Sequence, residues 1–125
     1  GKVFEDICTQ YLWRLLLDGE SPILFGNLGR WWGTDPSTRS QTEIDIMGEQ
    51  DKDTAVFSEC KWINENVDTG VLNTLVKRSR MFSYQKTHLY LFAKKGFTKG
   101  CIDAAKELGN VTLVTYHQIY SRAAG

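Results

Sequence analysis

The stretch at residues 42–62, TEIDIMGEQDKDTAVFSECKW, decides how the chain is read. Two runs rich in Ile, Val and Phe flank the polar turn EQDKD, the pattern of a β-hairpin. Each run carries charge where a buried strand should carry none: Glu43 and Asp45 in the first, Glu59 and Lys61 in the second. Side chains alternate faces along a strand. Glu43, Asp45 and Met47 are therefore expected on one face, with Ile44 and Ile46 on the other. Across the turn, Ala55, Phe57, Glu59 and Lys61 share a face opposite Val56, Ser58, Cys60 and Trp62. A register that sets Asp45 against Glu59 also sets Met47 against Phe57. The shared face is then apolar near the turn and charged at the open end. Such a register needs an odd-length loop, such as Asp51-Lys52-Asp53, or a β-bulge near Asp45. A simple two-residue turn sends Glu59 to the other face.

Two carboxylates on adjacent strands stand about 5 Å apart at Cβ. They repel, and burying them together is costly unless something positive sits between them. Mg²⁺ (or Mn²⁺) suits such a place, because it takes hard oxygen ligands, typically one or two carboxylates completed by water and phosphate. The backbone carbonyl of Cys60 offers a third protein oxygen. Lys61 points the same way as Glu59, where its ammonium could orient or deprotonate a metal-bound water and offset charge on a phosphate. An exposed cross-strand salt bridge uses the same residues without any metal. The residues alone leave both readings open.

Composition bounds the alternatives. The 125 residues suit one domain. At 42% hydrophobic and 24% charged, the usage is globular rather than disordered. No apolar run is long enough for a membrane span, and no secretory signal is visible, so a cytoplasmic protein is expected. Cys8, Cys60 and Cys101 are widely spaced and lack a C-x-x-C pair. A zinc site or disulfide frame is not expected. No P-loop motif is present, so this stretch does not bind ATP by itself. Net charge is zero but uneven: residues 1–60 carry 5 basic against 11 acidic residues (−6), and residues 61–125 carry 10 against 4 (+6). An acidic half joined to a basic half can seat cations in one place and phosphates in another.

Outward from the hairpin, apolar spacing predicts an amphipathic helix over 2–18 closed by Gly19. A strand is expected at 23–32 and a loop at 33–41. Beyond the hairpin come a helix at about 70–84, a buried strand at 87–95, a helix at 98–109 closed by Gly109, a strand at 110–116 and a terminal turn of helix. The order α-β-β-β-α-β-α-β implies a mixed sheet flanked by helices. Lys77, Arg78 and Arg80 fall on the helix after the Glu-x-Lys strand, and Arg39 lies in the loop before Asp45. All four are candidate contacts to a DNA backbone.

EIDIM followed by FSECKW resembles the motif pair of the PD-(D/E)XK nuclease superfamily, an Asp on one strand of a hairpin and Glu-x-Lys on the next. The resemblance implies a restriction-endonuclease-like α/β core, α-β-β-β-α-β. It implies Mg²⁺- or Mn²⁺-dependent hydrolysis of a DNA phosphodiester, with Asp45, Glu59 and Lys61 catalytic and the metal held by Asp45, Glu59 and the Cys60 carbonyl. Many members add a Glu from the first helix, and VFEDICTQYL supplies Glu5 there. GRWWG, EIDIM and ECKW, in that order, are also similar to a prokaryotic domain that lies C-terminal to a P-loop ATPase module. That likeness implies a single nuclease-like domain at 1–125, forming the C-terminal part of a larger ATPase protein. Its expected partners are DNA, the ATPase module of the same chain and a second copy in a homodimer. A reading of another class is a catalytically silent DNA-docking, regulatory or protein-interaction module of that ATPase.

Overall fold

The computed structural model of the chain describes residues 1–124. Nine elements follow one another: α1 (Lys2–Leu17), β1 (Gly29–Thr34), β2 (Gln41–Asp51), β3 (Thr54–Lys61), α2 (Thr69–Ser79), β4 (Lys86–Ala93), α3 (Lys99–Leu108), β5 (Val111–Thr115) and α4 (Tyr116–Ala124). The strands form one sheet in the order β1-β2-β3-β4-β5. β2 runs antiparallel to both of its neighbours, β1 and β3; β3, β4 and β5 run parallel, joined by α2 and α3. This is the mixed α/β sheet flanked by helices that the element order implies, with a full helix, α4, where only a turn is expected.

Two apolar layers hold the helices on. Phe4, Cys8, Leu12 and Leu15 recur at helical spacing along α1, and they meet Ile46, Val56, Tyr90, Phe92 and Val114 on one face of the sheet. Ile119 of α4 joins them there. On the other face, Leu72 and Leu75 of α2 and Cys101 and Ala105 of α3 cover Ala55, Phe57, Leu89 and Leu91. The run Leu89–Ala93 is wholly buried, as expected for the centre of a sheet covered on both sides. Both crossover helices are capped by sequence-local groups. Asp68 accepts the Val71 amide at 3.3 Å, Thr98 accepts the Cys101 amide at 3.2 Å, and Gly109 closes α3 with φ of 81°.

Three elements differ from expectation, each for a local reason. The strand expected at 23–32 is β1, Gly29–Thr34, and residues 23–28 are not in the sheet. Their alternation is real, with Ile23 and Phe25 buried and Leu24 and Gly26 exposed, but it records burial against α1 and not strand pairing. The segment is tied to β2 through Leu24, whose amide donates to the Gln50 side chain at 2.7 Å, and Gly26, whose amide donates to the Glu49 carbonyl at 3.1 Å. Gly48 permits this approach, since a Cβ there would collide with the Asn27 carbonyl and lie 2.7 Å from Leu28 Cδ2. The helix expected to reach 84 stops at Ser79, and Phe82 turns inward against Trp31 and Phe57 at ring distances of 5.0 and 5.5 Å. Finally, the hairpin strands run further into the turn than expected, leaving only Lys52 and Asp53 between them.

Candidate functional site: the open end of the β2–β3 hairpin

Met47 opposes Phe57, Ile46 opposes Ser58 and Glu49 opposes Ala55, the register that sets Asp45 toward Glu59. A two-residue turn reaches it because the pairing steps from Glu49/Ala55 to Asp51/Thr54, leaving Gln50 as an extra residue. Pairing of β2 with β3 ends at Ile46/Ser58, although both strands continue. On the other side of β2 the register with β1 also slips: Gly29 opposes Met47, but Trp31 opposes Ile44. One residue of β2 is therefore surplus around Asp45. The bulge turns Ile44 toward Phe57 and Leu75 while Ile46 faces Phe4 and Val56. The expectation that Ile44 and Ile46 share a face is corrected by this slip, and so is the strict shared face of Glu43, Asp45 and Met47.

The bulge puts the Asp45 carboxylate into the gap between the strands. Its Oδ2 accepts the Cys60 amide at 2.9 Å, taking the place of a backbone carbonyl. N–H and C=O of one strand residue face the same neighbour, so the Cys60 carbonyl faces this gap too. The Cys60 thiol points away, into the α1 layer beside Cys8; contact with that thiol and burial push it up. Glu59 is 8% exposed. Lys61 Nζ lies 3.6 Å from Glu59 Oε1, and Arg78 Nη1 of α2 lies 3.5 Å from Oε2. A cleft of about 210 Å³ opens here, lined by Glu59, Lys61, Asp68, Gly70, Thr74 and Arg78.

Electrostatics single out Glu59. Burial, and then the charge of Asp45, push Glu59 up to about 7; Lys61 and Arg78 pull it back only in part. A buried carboxylate against a second one is a place where added positive charge is strongly favoured. Among the described residues, no group of three or more His, Cys, Asp or Glu side chains is arranged to hold a metal. What the gap offers is two carboxylates and one carbonyl.

Arg30, on β1, is the site residue that the sequence reading misses. Its Nη2 pairs with Glu5 of α1, and its Nη1 lies 3.2 Å from Glu43 and 3.8 Å from Asp45. Glu5 is thus joined to Asp45 through a guanidinium. The signal was available: Arg30 is a charge inside an apolar strand, the same anomaly that marks Asp45.

The candidate phosphate contacts scatter. Arg78 is drawn into the cleft by Glu59. Lys77 is exposed on α2. Arg80 lines a separate cavity of about 240 Å³ with Phe82 and Tyr84. Arg39 sits between β1 and β2 with a left-handed φ of 59°. Trp31 is packed, whereas Trp32 is 67% exposed. Beyond Lys61, Trp62 rests on Phe4 and Tyr116 beneath the Lys94 ammonium, and Lys94 also donates to Asn64 at 2.6 Å.

A family model matches residues 1–73, more than half the chain, from α1 into the first turns of α2. The chain belongs to DUF234. That family is described as "Archaea bacterial proteins of unknown function". No curated protein and no solved structure is significantly similar to the chain. The part matched by the DUF234 model holds Glu5, Arg30, Asp45, Glu59, Cys60 and Lys61, and it ends before Lys77. Among the described residues of this DUF234 chain, no helix is long and apolar enough to cross a membrane.

Proposed function

We propose that this DUF234 domain is a metal-dependent DNA phosphodiester hydrolase of the PD-(D/E)XK kind, attached to an ATPase module and acting in the cytoplasm. One observation carries the reading. Asp45 and Glu59 stand together where the β2–β3 ladder stops, with Lys61 on the same side. The donor set fits a hard divalent cation: two carboxylates and the Cys60 carbonyl, all oxygen, in a gap whose basic neighbours offset the buried acid only in part. When bound, Mg²⁺ or Mn²⁺ would supply electrostatic stabilisation of charge developing on the phosphoryl oxygens. Asp45 is held for this by the Cys60 amide, and Glu59 by its own burial. Lys61, partly exposed beside Glu59, would hold the attacking water in line and balance charge on the phosphate. Arg78 would trade its long contact with Glu59 for the strand's phosphate, and Lys77, Arg80 and Arg39 would contact the backbone further out.

A second reading is favoured by the ion pairs themselves. Asp45 and Glu59 each already have a basic partner, in Arg30, Lys61 or Arg78, as a catalytically silent docking or regulatory module would. Incubation of the purified chain with plasmid, branched and single-stranded DNA, in Mg²⁺, Mn²⁺ or EDTA, separates the two. Cleavage that needs metal and disappears in Asp45→Asn supports the hydrolase. Binding to DNA with no turnover in any metal supports the silent module.

A further inference from the structure

The carboxylates at the open end fall into two groups with separate counter-charges. Glu59 faces α2, with Lys61 and Arg78 near it. Glu5 and Glu43 face Arg30, which also reaches Asp45 Oδ1. Asp45 stands between the groups, one oxygen toward Arg30 and the other on the Cys60 amide. A guanidinium stays protonated at any working pH, and its planar fork of N–H groups suits several carboxylates at once. The Glu5 hydrogen bond and the surrounding acids hold the Arg30 proton more tightly still.

We propose that Arg30 is a positioning residue that engages Glu5 and Glu43, orients Asp45, and so limits the gap to a single divalent ion. This rests on the hydrolase reading above. Glu5 is spent on Arg30 and does not ligate. Without Arg30, three carboxylates from α1 and β2 would share one place with no positive group, an arrangement that draws a second cation.

Calorimetric titration of the purified chain with Mn²⁺ tests this. The wild type is expected to bind one ion, and Glu5→Gln to bind one ion with affinity changed by less than about threefold, well short of the ~10–100-fold expected even for loss of an outer partner. Arg30→Gln is expected to bind two ions, and Arg30→Lys to return to one. A merely structural arginine would lower thermal stability without changing stoichiometry. Loss of about tenfold or more in affinity in Glu5→Gln would overturn the proposal, and this variant leaves the arginine in place, so it reads out even if Arg30→Gln does not fold. One ion at unchanged affinity in a folded Arg30→Gln would overturn it as well. A wild type that binds no Mn²⁺ at millimolar concentration would instead reject the hydrolase reading and this inference with it.

Discussion

Near its turn, the β2–β3 hairpin is closed. Met47 opposes Phe57, backbone pairing is regular from Ile46/Ser58 to Glu49/Ala55, and Phe57 is fully buried against Phe82 and Tyr84. A few residues away the same two strands part. A carboxylate replaces a ladder carbonyl, and charge replaces hydrocarbon. The closed end returns free energy to the fold; the open end holds a buried acid that folding disfavours in its ionised form. The contrast shows how one hairpin serves both needs: a rigid apolar half fixes the register, and the register delivers Asp45 to Glu59.

The comparison can be broken first at Lys61. Lys61→Ala is expected to reduce Mg²⁺-dependent cleavage by about 10²–10³-fold, the usual range for losing a donor that stabilises charge in the transition state. Its far-ultraviolet circular dichroism should not change, since Lys61 is partly exposed. Undiminished cleavage would remove Lys61 from the mechanism. At the closed end, Phe57→Ala should destabilise the domain by about 3–5 kcal/mol in denaturant unfolding. A much smaller loss would mean that the turn half does not set the register.

The third test compares Glu59 with its neutral isostere. Its folded-state pKa is raised from 4.5 to about 7, so its contribution to stability is fully present below pH 4.5 and lost as pH climbs through 7. Without metal, wild type should lose on the order of 3 kcal/mol relative to Glu59→Gln across that window. Added Mn²⁺ should restore the wild type alone. Parallel pH profiles would mean that Glu59 is neither buried in its ionised form nor held against Asp45. As a remote and smaller reference, Thr98→Ala removes the α3 cap and should cost about 1 kcal/mol with no change in metal binding.

Much of this architecture is legible in the residues because the signals are periodic. Apolar spacing gives α1 and α3, whereas the strand faces give the hairpin register only on condition of an odd-length loop or a bulge, and it is a bulge at Gln50 that supplies it. What escapes is what periodicity does not encode. Ile23 and Phe25 alternate like a strand yet pair with nothing. Ile44 and Ile46 look alike in sequence but face opposite layers because of one surplus residue. Asp45, Glu59 and Lys61 are visible as charges on strands, whereas the clustering of Glu5 with Arg30 depends on α1 lying over β1 and β2, a tertiary fact. Arg78 shows the same limit: helix geometry marks it as basic and solvent-facing, but only packing turns it to Glu59.

The surplus residue in β2 also constrains how this domain can change over time. Asp45 is the one position between Ile44 and Ile46, and deleting it would restore regular pairing of β2 with β1. The same deletion would leave Ile44, Glu43 and Thr42 facing as they do now, and would take the carboxylate away from the opening. A strand shortened by that one residue would keep its core contacts and lose only the acid, so the irregularity is what lets a charged group enter the sheet without turning the residues before it.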